Sequence, residues 1–280
     1  MEGISERSES IQMRLKYLAV TALALLFILT HIPSASAQSS PGFSFDNFAG
    51  TYYLDRNGQG VAKLTSQEDM VVTFTGNSPG IMRDLPITYQ GHNLNLKIIS
   101  ITDALGNPIQ YKTSSSGGNE AIQIGDPAIQ LSGVQTYRVK YQTAGVASFF
   151  PDHDEFLIDV NGRGWDTSFG SVKAFVHLAP AFSASLINKP SCYIGYQNQS
   201  SPACTVKTEP SAGGQLVTAN TNGKLGPYQA LVLRMDFKKG TFKQVKHTTP
   251  SWIWLAIAAA GMAMTGLWFL GTFWGKPSET

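Results

Sequence analysis

The sequence predicts an all-β protein: an antiparallel β-sandwich, immunoglobulin-like in general architecture, set between an N-terminal signal peptide and one C-terminal transmembrane helix. Three observations carry this expectation. From about Gln38 to Phe242, short segments rich in Val, Ile, Thr, Tyr and Phe alternate with turn clusters of Gly, Pro and Asn. Several of these segments have a period of two. In "SVKAFVHL", Val172, Ala174, Val176 and Leu178 share one face, and Lys173 and His177 the other. The two long apolar runs of the chain lie outside this region, one at each end.

The first run belongs to "MRLKYLAVTALALLFILTHIPSASAQSS". Arg7, Arg14 and Lys16 precede an uncharged apolar stretch from Tyr17 to about Ile32, followed by Ala35-Ser36-Ala37. A basic start, a short apolar centre and a small-residue cleavage site make residues 1–37 a signal peptide. The alternative is an uncleaved anchor, and both send the downstream chain out of the cytoplasm.

The body, 38–242, then reads as strand after strand. "GTYYLD" and "MVVTFT" flank the turn-rich "RNGQG", and "LNLKIISITD" ends at "ALGNP". "AIQIGD", "QTYRVKYQ", "FLIDV", "SVKAFVHL", "GQLVTA" and "QALVLRMDF" follow. In "QTYRVKYQ", Tyr137, Val139 and Tyr141 alternate with Arg138 and Lys140, as expected of a strand with one buried face. "SSSGGN" reads as a loop. Cys192 and Cys204 are the two cysteines. In an exported chain such a pair is most simply a disulfide. Two free thiols or a metal pair fit less well, because no further Cys or His lies close by in sequence.

The second apolar run, Trp252 to Gly275, contains no ionisable residue and has tryptophans at both ends. As a helix it is about 35 Å long, enough to span a bilayer. It leaves 243–251 as a juxtamembrane linker and 276–280 as a short cytoplasmic tail. Lys238, Lys239, Lys243 and Lys246 precede this helix and only Lys276 follows it, which by itself argues for the opposite orientation. The signal peptide outweighs them, because the first hydrophobic segment usually dominates orientation.

Charge is sparse. Charged residues are 14% of the chain and the formal net charge is +2, so there is no basic field for nucleic acid. The expected partners are the lipid bilayer and another cell-envelope protein or glycan. No cofactor is expected.

Several stretches resemble domain of unknown function family 2207, bacterial membrane proteins with an N-terminal extracytoplasmic domain. They are "YYLDRNGQG", "PGIMRDLPITYQG", "QTYRVKYQ", "DHDEFLIDVNGRGWDTSFGSVKAFVHL", the cysteine pair and "LGPYQALVLRMDFKKGTF". Together they cover roughly residues 45 to 245, in the family's order. The resemblance implies a signal peptide, an extracytoplasmic β domain and membrane helices. It implies no activity and no catalytic residue.

Candidate chemistry concentrates in "FFPDHDEFLIDVNGRGWD", where five acidic residues and one histidine fall within 18 positions. "EFLIDV" reads as a strand, with Phe156, Ile158 and Val160 on the buried face and Glu155, Leu157 and Asp159 on the other. Glu155 and Asp159 then stand about 13 Å apart, too far for a glycosidase pair, which needs about 5 to 9.5 Å. Asp152, His153, Asp154 and Glu155 remain candidates for ligand or metal contact, with Arg83 of "GIMRDLP" as either their ion-pair partner or a further contact. The favoured reading of this stretch is the charged entrance of a hairpin, followed by a turn at Asn161-Gly162 and Gly164. "GNSPG" matches the serine nucleophile elbow literally. Pro79, however, stands where the elbow needs a backbone N–H for its oxyanion hole, so a loop is expected. "DRNGQGVAKLTS" begins like a calcium loop but ends on Ser66 where a bidentate glutamate belongs, and reads as a hairpin turn.

Two functions are compatible with these residues: a membrane-anchored binding or scaffold module of the cell envelope, or a metal-assisted envelope hydrolase centred on Asp152 to Glu155. The hydrolase requires those acids to meet His177, Arg83 or another distant polar group in one pocket. On either, the protein is a single-pass membrane protein with its main domain outside the cytoplasm. Protease added to intact spheroplasts is expected to digest the β domain. Complete protection of that domain would reverse the orientation.

Overall fold

The computed structural model describes residues 42–195 and 203–245. The expected signal peptide, transmembrane helix and tail lie outside these residues, as does most of the expected linker. Among the described residues no helix is long and apolar enough to cross a membrane.

The regular secondary structure of the described residues is almost entirely strand. Its elements are β1 (Phe43–Arg56), β2 (Ala62–Ser78), β3 (Ile81–Pro86), β4 (Thr88–Tyr89), β5 (His92–Asn93), β6 (Lys97–Thr102), β7 (Tyr111–Ser116) and β8 (Asn119–Ile124). They continue with β9 (Leu131–Ala144), β10 (Ala147–Phe149), β11 (His153–Asp159), β12 (Val172–Leu178), β13 (Ser191–Ile194), β14 (Cys204–Ser211), β15 (Gly214–Thr221) and β16 (Leu231–Lys238). A single helical turn, Pro180–Ser183, follows β12.

The largest sheet has the order β14-β15-β12-β1-β2-β9-β6, and a second has the order β10-β11-β16-β13. Alternation explains why these strands form and which side they bury. In β2, Ala62, Leu64, Met70, Val72 and Phe74 are buried at period two. Val172, Ala174, Val176 and Leu178 are all buried, as the pattern of "SVKAFVHL" predicts, and so are Tyr137, Val139 and Tyr141 of β9. In the second sheet Phe156 lies opposite Met235 and Ile158 opposite Leu233. These side chains join those of the large sheet in one core. At one end of that core Phe45 stacks on Phe169, with ring centroids 4.5 Å apart, and meets the ring of Trp165 nearly at right angles.

Two arms complete the body. β3, β8 and β7 form a three-stranded sheet in which β3 is an edge, and β4 with β5 makes a small hairpin. "SSSGGN" is not the loop expected from its composition. Its serines end β7, and Gly117 and Gly118 turn directly into β8 with φ of 58° and 82°. A two-residue turn with both φ positive matches the twist of a tight hairpin, and glycine takes it without strain.

Among the described residues the antiparallel expectation holds for every strand ladder but one, since β1 and β12 run parallel. This pair brings together segments more than a hundred residues apart, and no local pattern signals its direction. Gly170, just before β12, permits the approach: a Cβ there would stand 2.6 Å from the Asp46 carbonyl oxygen. The expected hairpin turn of "DRNGQG" is present, with Asn57 Oδ1 accepting the backbone N–H groups of Gln59 and Val61. "GNSPG" is a tight link from β2 to β3, in which the Ser78 hydroxyl donates to the Gly80 carbonyl.

Cys192 and Cys204 are bonded, joining β13 at the edge of the second sheet to β14 at the edge of the first. The closed loop spans a sequence separation of 12. Replacing both cysteines by serine is expected to cost about 3 kcal/mol, seen as a lower thermal midpoint. An unchanged midpoint would mean that the bond constrains nothing.

Candidate functional site

The alternation of β2 that buries Leu64 and Met70 also buries Glu68, which is 0% exposed. A carboxylate cannot stay charged there without a partner. Arg83 supplies one from β3, where the same alternation turns Ile81, Arg83 and Leu85 inward. Arg83 Nε–H donates to Glu68 Oε2 at 2.8 Å, and Nη2–H to Oε1 at 2.6 Å. The Tyr141 hydroxyl donates to the same Oε1 at 2.8 Å. Burial alone would lower the Arg83 guanidinium, but Glu68 outweighs it and holds Arg83 above its ordinary value. Burial and then the Glu68 charge push the Tyr141 phenol up.

The pair also fixes the turn after β11. Arg83 Nη1–H reaches the Asn161 carbonyl at 3.3 Å, and the Trp165 indole N–H donates to the same oxygen at 2.7 Å. The Asn161 side chain donates to the Gln229 carbonyl and accepts the Leu231 N–H. Gly162 follows with φ of 76°, and a Cβ there would stand 2.7 Å from Arg83 Nη1. The Asn-Gly bend therefore has a packing reason as well as a conformational one, but it is not the hairpin turn expected from the sequence, because β11 and the next strand, β12, belong to different sheets.

A groove opens between β3 and this turn. Two adjoining cavities of about 460 Å³ each share Met82, Asp84, Gly164 and Trp165. Leu85, Leu94, Val146, Phe156 and Ile158 give the larger one an apolar wall, and Tyr89, Asp159 and Arg163 add polar groups. Met82 is half exposed at its edge. Arg163 pairs with Asp159 at 2.9 Å, while burial lifts the Asp159 carboxyl above its usual range against that pull.

The acidic stretch divides among different places. Asp152 is exposed and accepts or shares the proton of His153 Nδ1 at 2.7 Å. That bond, before any other cause, holds the Asp152 carboxyl low. Asp154 points into the core beside Phe237, is 0% exposed, and accepts the Phe242 backbone N–H at 2.9 Å. Lys239 Nζ lies 3.8 Å from its other oxygen. Glu155 is on the opposite face, as alternation requires, but it is buried there too. Arg234 Nε lies 2.8 Å from its Oε2 and also donates to Asp236 Oδ1 at 2.9 Å. Burial lifts the Glu155 carboxyl, Arg234 opposes this, and Asp236 adds to it. A carboxyl held high in the native state keeps its proton longer than the unfolded chain does. This contribution therefore weakens the fold as pH rises from the ordinary carboxylate range through the raised value.

The structure thus brings His153 and Glu155 together with Asp236, which sequence reasoning missed. It does not bring Asp152 to Glu155 against Arg83 or His177. Arg83 is engaged with Glu68, and His177 stacks on exposed Tyr53 of the large sheet. The ion pair expected between Arg83 and the acidic segment goes to Glu68 instead. Within the acidic stretch Arg83 hydrogen-bonds a backbone carbonyl, that of Asn161, and its remaining Nη1 contact is the Asp84 carbonyl at 3.1 Å.

These features define an all-β domain with a groove along an edge strand. The chain belongs to the DUF2207 family: the family's "Predicted membrane protein (DUF2207) N-terminal domain" matches residues 44–237. A comparison with curated proteins gave no match. Among solved structures the chain is similar to an M1 zinc metallopeptidase from Deinococcus radiodurans, at 12% identity and a TM-score of 0.40, over 69% of this chain and 42% of that one. It is also similar to native yeast LTA4 hydrolase, at 6% identity and a TM-score of 0.47, over 75% and 32%. The chain spans less than half the length of these proteins, and likeness at this level carries no functional argument.

Breaking the buried pair tests its role. Glu68→Gln and Arg83→Met are each expected to destabilise the domain by about 3–5 kcal/mol, because each strands a buried charge. Glu68→Leu combined with Arg83→Met strands none, and is expected to lose less than either single change in denaturant unfolding.

Proposed function

We propose that the protein is a membrane-anchored, extracytoplasmic binding or scaffold module of the cell envelope. Its ligand is an extended segment of another envelope component, held in the groove between β3 and the turn at Gly162–Asp166. The observation that carries this reading is the groove itself. It runs beside a strand that has no second strand partner among the described residues, its walls are apolar and aromatic, and Gly162 and Gly164 keep its far side low. Such a site suits a chain laid against a sheet edge, with backbone groups giving affinity and flanking pockets giving selectivity. Membership in a family of predicted membrane proteins supports placement at a membrane. The expected signal peptide at 1–37 and the apolar run at 252–275 support the extracytoplasmic side and the single pass.

The hydrolase reading has less support. It needs the acids of 152–155 in one pocket with a distant catalytic partner. Asp154 is instead held by the Phe242 amide, and neither Asp154 nor Glu155 is among the residues that line the groove. Among the described residues, those lining the groove include no serine, cysteine or histidine.

A photo-crosslinking residue at Met82, introduced in intact cells, is expected to give a discrete adduct. The same residue at Tyr53, equally exposed on the large sheet, is expected to give none. Identical patterns at the two positions would remove the groove as the binding surface. Hydrolysis of an ester, peptidoglycan or phosphate substrate by the purified protein, lost in a folded Asp154→Asn variant, would favour the enzyme instead.

A further inference from the structure

We propose that His153, Glu155 and Asp236 form a binding site for a divalent transition-metal ion of the zinc class. The three residues share the outer face of the second sheet. His153 and Glu155 are two apart on β11, and Asp236 lies directly opposite Glu155 on β16. One ligand atom from each falls within 4.8 Å of the others, and His153 Nε2 stands 4.0 Å from Asp236 Oδ1. Ligand atoms around a tetrahedral zinc ion stand about 3.4 Å apart. Closing the set therefore needs side-chain adjustments of about an ångström and no shift of backbone register.

The imidazole carries the argument. Its ring is fixed twice, by the 2.7 Å contact of Nδ1 with Asp152 and by stacking on Phe150 at 4.6 Å. Its Nε2 is shielded from solvent and has no hydrogen-bond partner among the described residues. A buried nitrogen without a partner is costly. A carboxylate on Nδ1 that leaves the Nε2 lone pair facing two more carboxylates is the arrangement metal-binding histidines commonly show. One nitrogen and two carboxylate oxygens suit zinc better than calcium or magnesium, which take oxygen ligands alone. Three protein ligands would leave a fourth position for water.

Arg234 is the competitor. Its Nε contacts both carboxylates, and its side chain is 39% exposed, so it has solvent to swing into when a metal arrives. The site is consequently tuned down by an internal cation. It also ties the β10–β11 turn to β16, the strand after which the chain runs on toward 252–275. None of the three ligands lines the groove, so the inference stands apart from the proposed binding function.

The test uses the full-length chain in detergent, freed of any histidine tag and stripped with a chelator, titrated with zinc against a chromophoric indicator. One zinc per chain is expected, with calcium and magnesium failing to compete. His153→Ala and Asp236→Asn are each expected to weaken binding by about 10–100-fold, and Arg234→Gln to strengthen it. At zinc about a hundredfold above its dissociation constant, the thermal midpoint should rise by about 5–10 °C. Binding that survives His153→Ala would place the zinc elsewhere. If neither the natural chain nor Arg234→Gln binds more tightly than the His153→Ala, Asp236→Asn double variant, the site does not exist. The gain expected of Arg234→Gln keeps the test decisive should His153→Ala fail to fold.

Discussion

A carboxylate at a core position of β2 constrains the rest of this domain. Glu68 sits between Ser66 and Met70 on the inward face and is 0% exposed. A guanidinium answers it because its planar fork satisfies both carboxylate oxygens at once. To deliver that fork, β3 must lie over the inner face of the large sheet. In the three-stranded arm β3-β8-β7, Arg83 faces the core together with Ile81 and Leu85. The Phe48 ring beneath the guanidinium, 5.8 Å from Cζ to centroid, adds a cation–π contact on the face that makes no hydrogen bonds.

The same guanidinium reaches past Glu68 to the Asn161 carbonyl, and so the second sheet is tied to the first. Asn161 bonds Gln229 and Leu231 through its side chain, which fixes the start of β16. Tyr52 sends its hydroxyl to the Val160 carbonyl from the large sheet at 3.2 Å. One polar knot therefore joins β2, β3, β9, the end of β11 and the beginning of β16. Buried ion pairs are weak sources of net stability. Here the pair's clearer consequence is geometric: it sets the spacing between β3 and the Gly162–Asp166 turn, and that spacing is the groove.

Much of this was legible in the sequence, and the illegible part has a common cause. Period two identifies the strands of "SVKAFVHL" and "QTYRVKYQ" and their buried faces. The same rule, applied to "AKLTSQEDMVVTF", places Glu68 among buried residues, and applied to "IMRDLP" it turns Arg83 inward. Each was thus available as a buried charge in search of a partner. That they find one another depends on how the arm folds over the sheet, which no local pattern states. The acidic stretch shows the same limit. Alternation correctly sends Asp154 and Glu155 to opposite faces, but it cannot show that both faces are covered. Arg234 and Asp236 alternate with buried Leu233, Met235 and Phe237, so their outward direction could be read. Their meeting with Glu155 rests on the register of β11 against β16, two strands far apart in sequence. The parallel pairing of β1 with β12 escaped for the same reason.

The central claim is that the Glu68–Arg83–Asn161 knot belongs to the cooperative core and is not a local surface clamp. Native-state hydrogen exchange of the Trp165 indole N–H reports on it directly, because that proton is bonded to the Asn161 oxygen that Arg83 also holds. This proton is expected to exchange only on global unfolding, with the same free energy as the most protected amides of β1 and β2. Exchange orders of magnitude faster, through local opening while those amides stay protected, would contradict it.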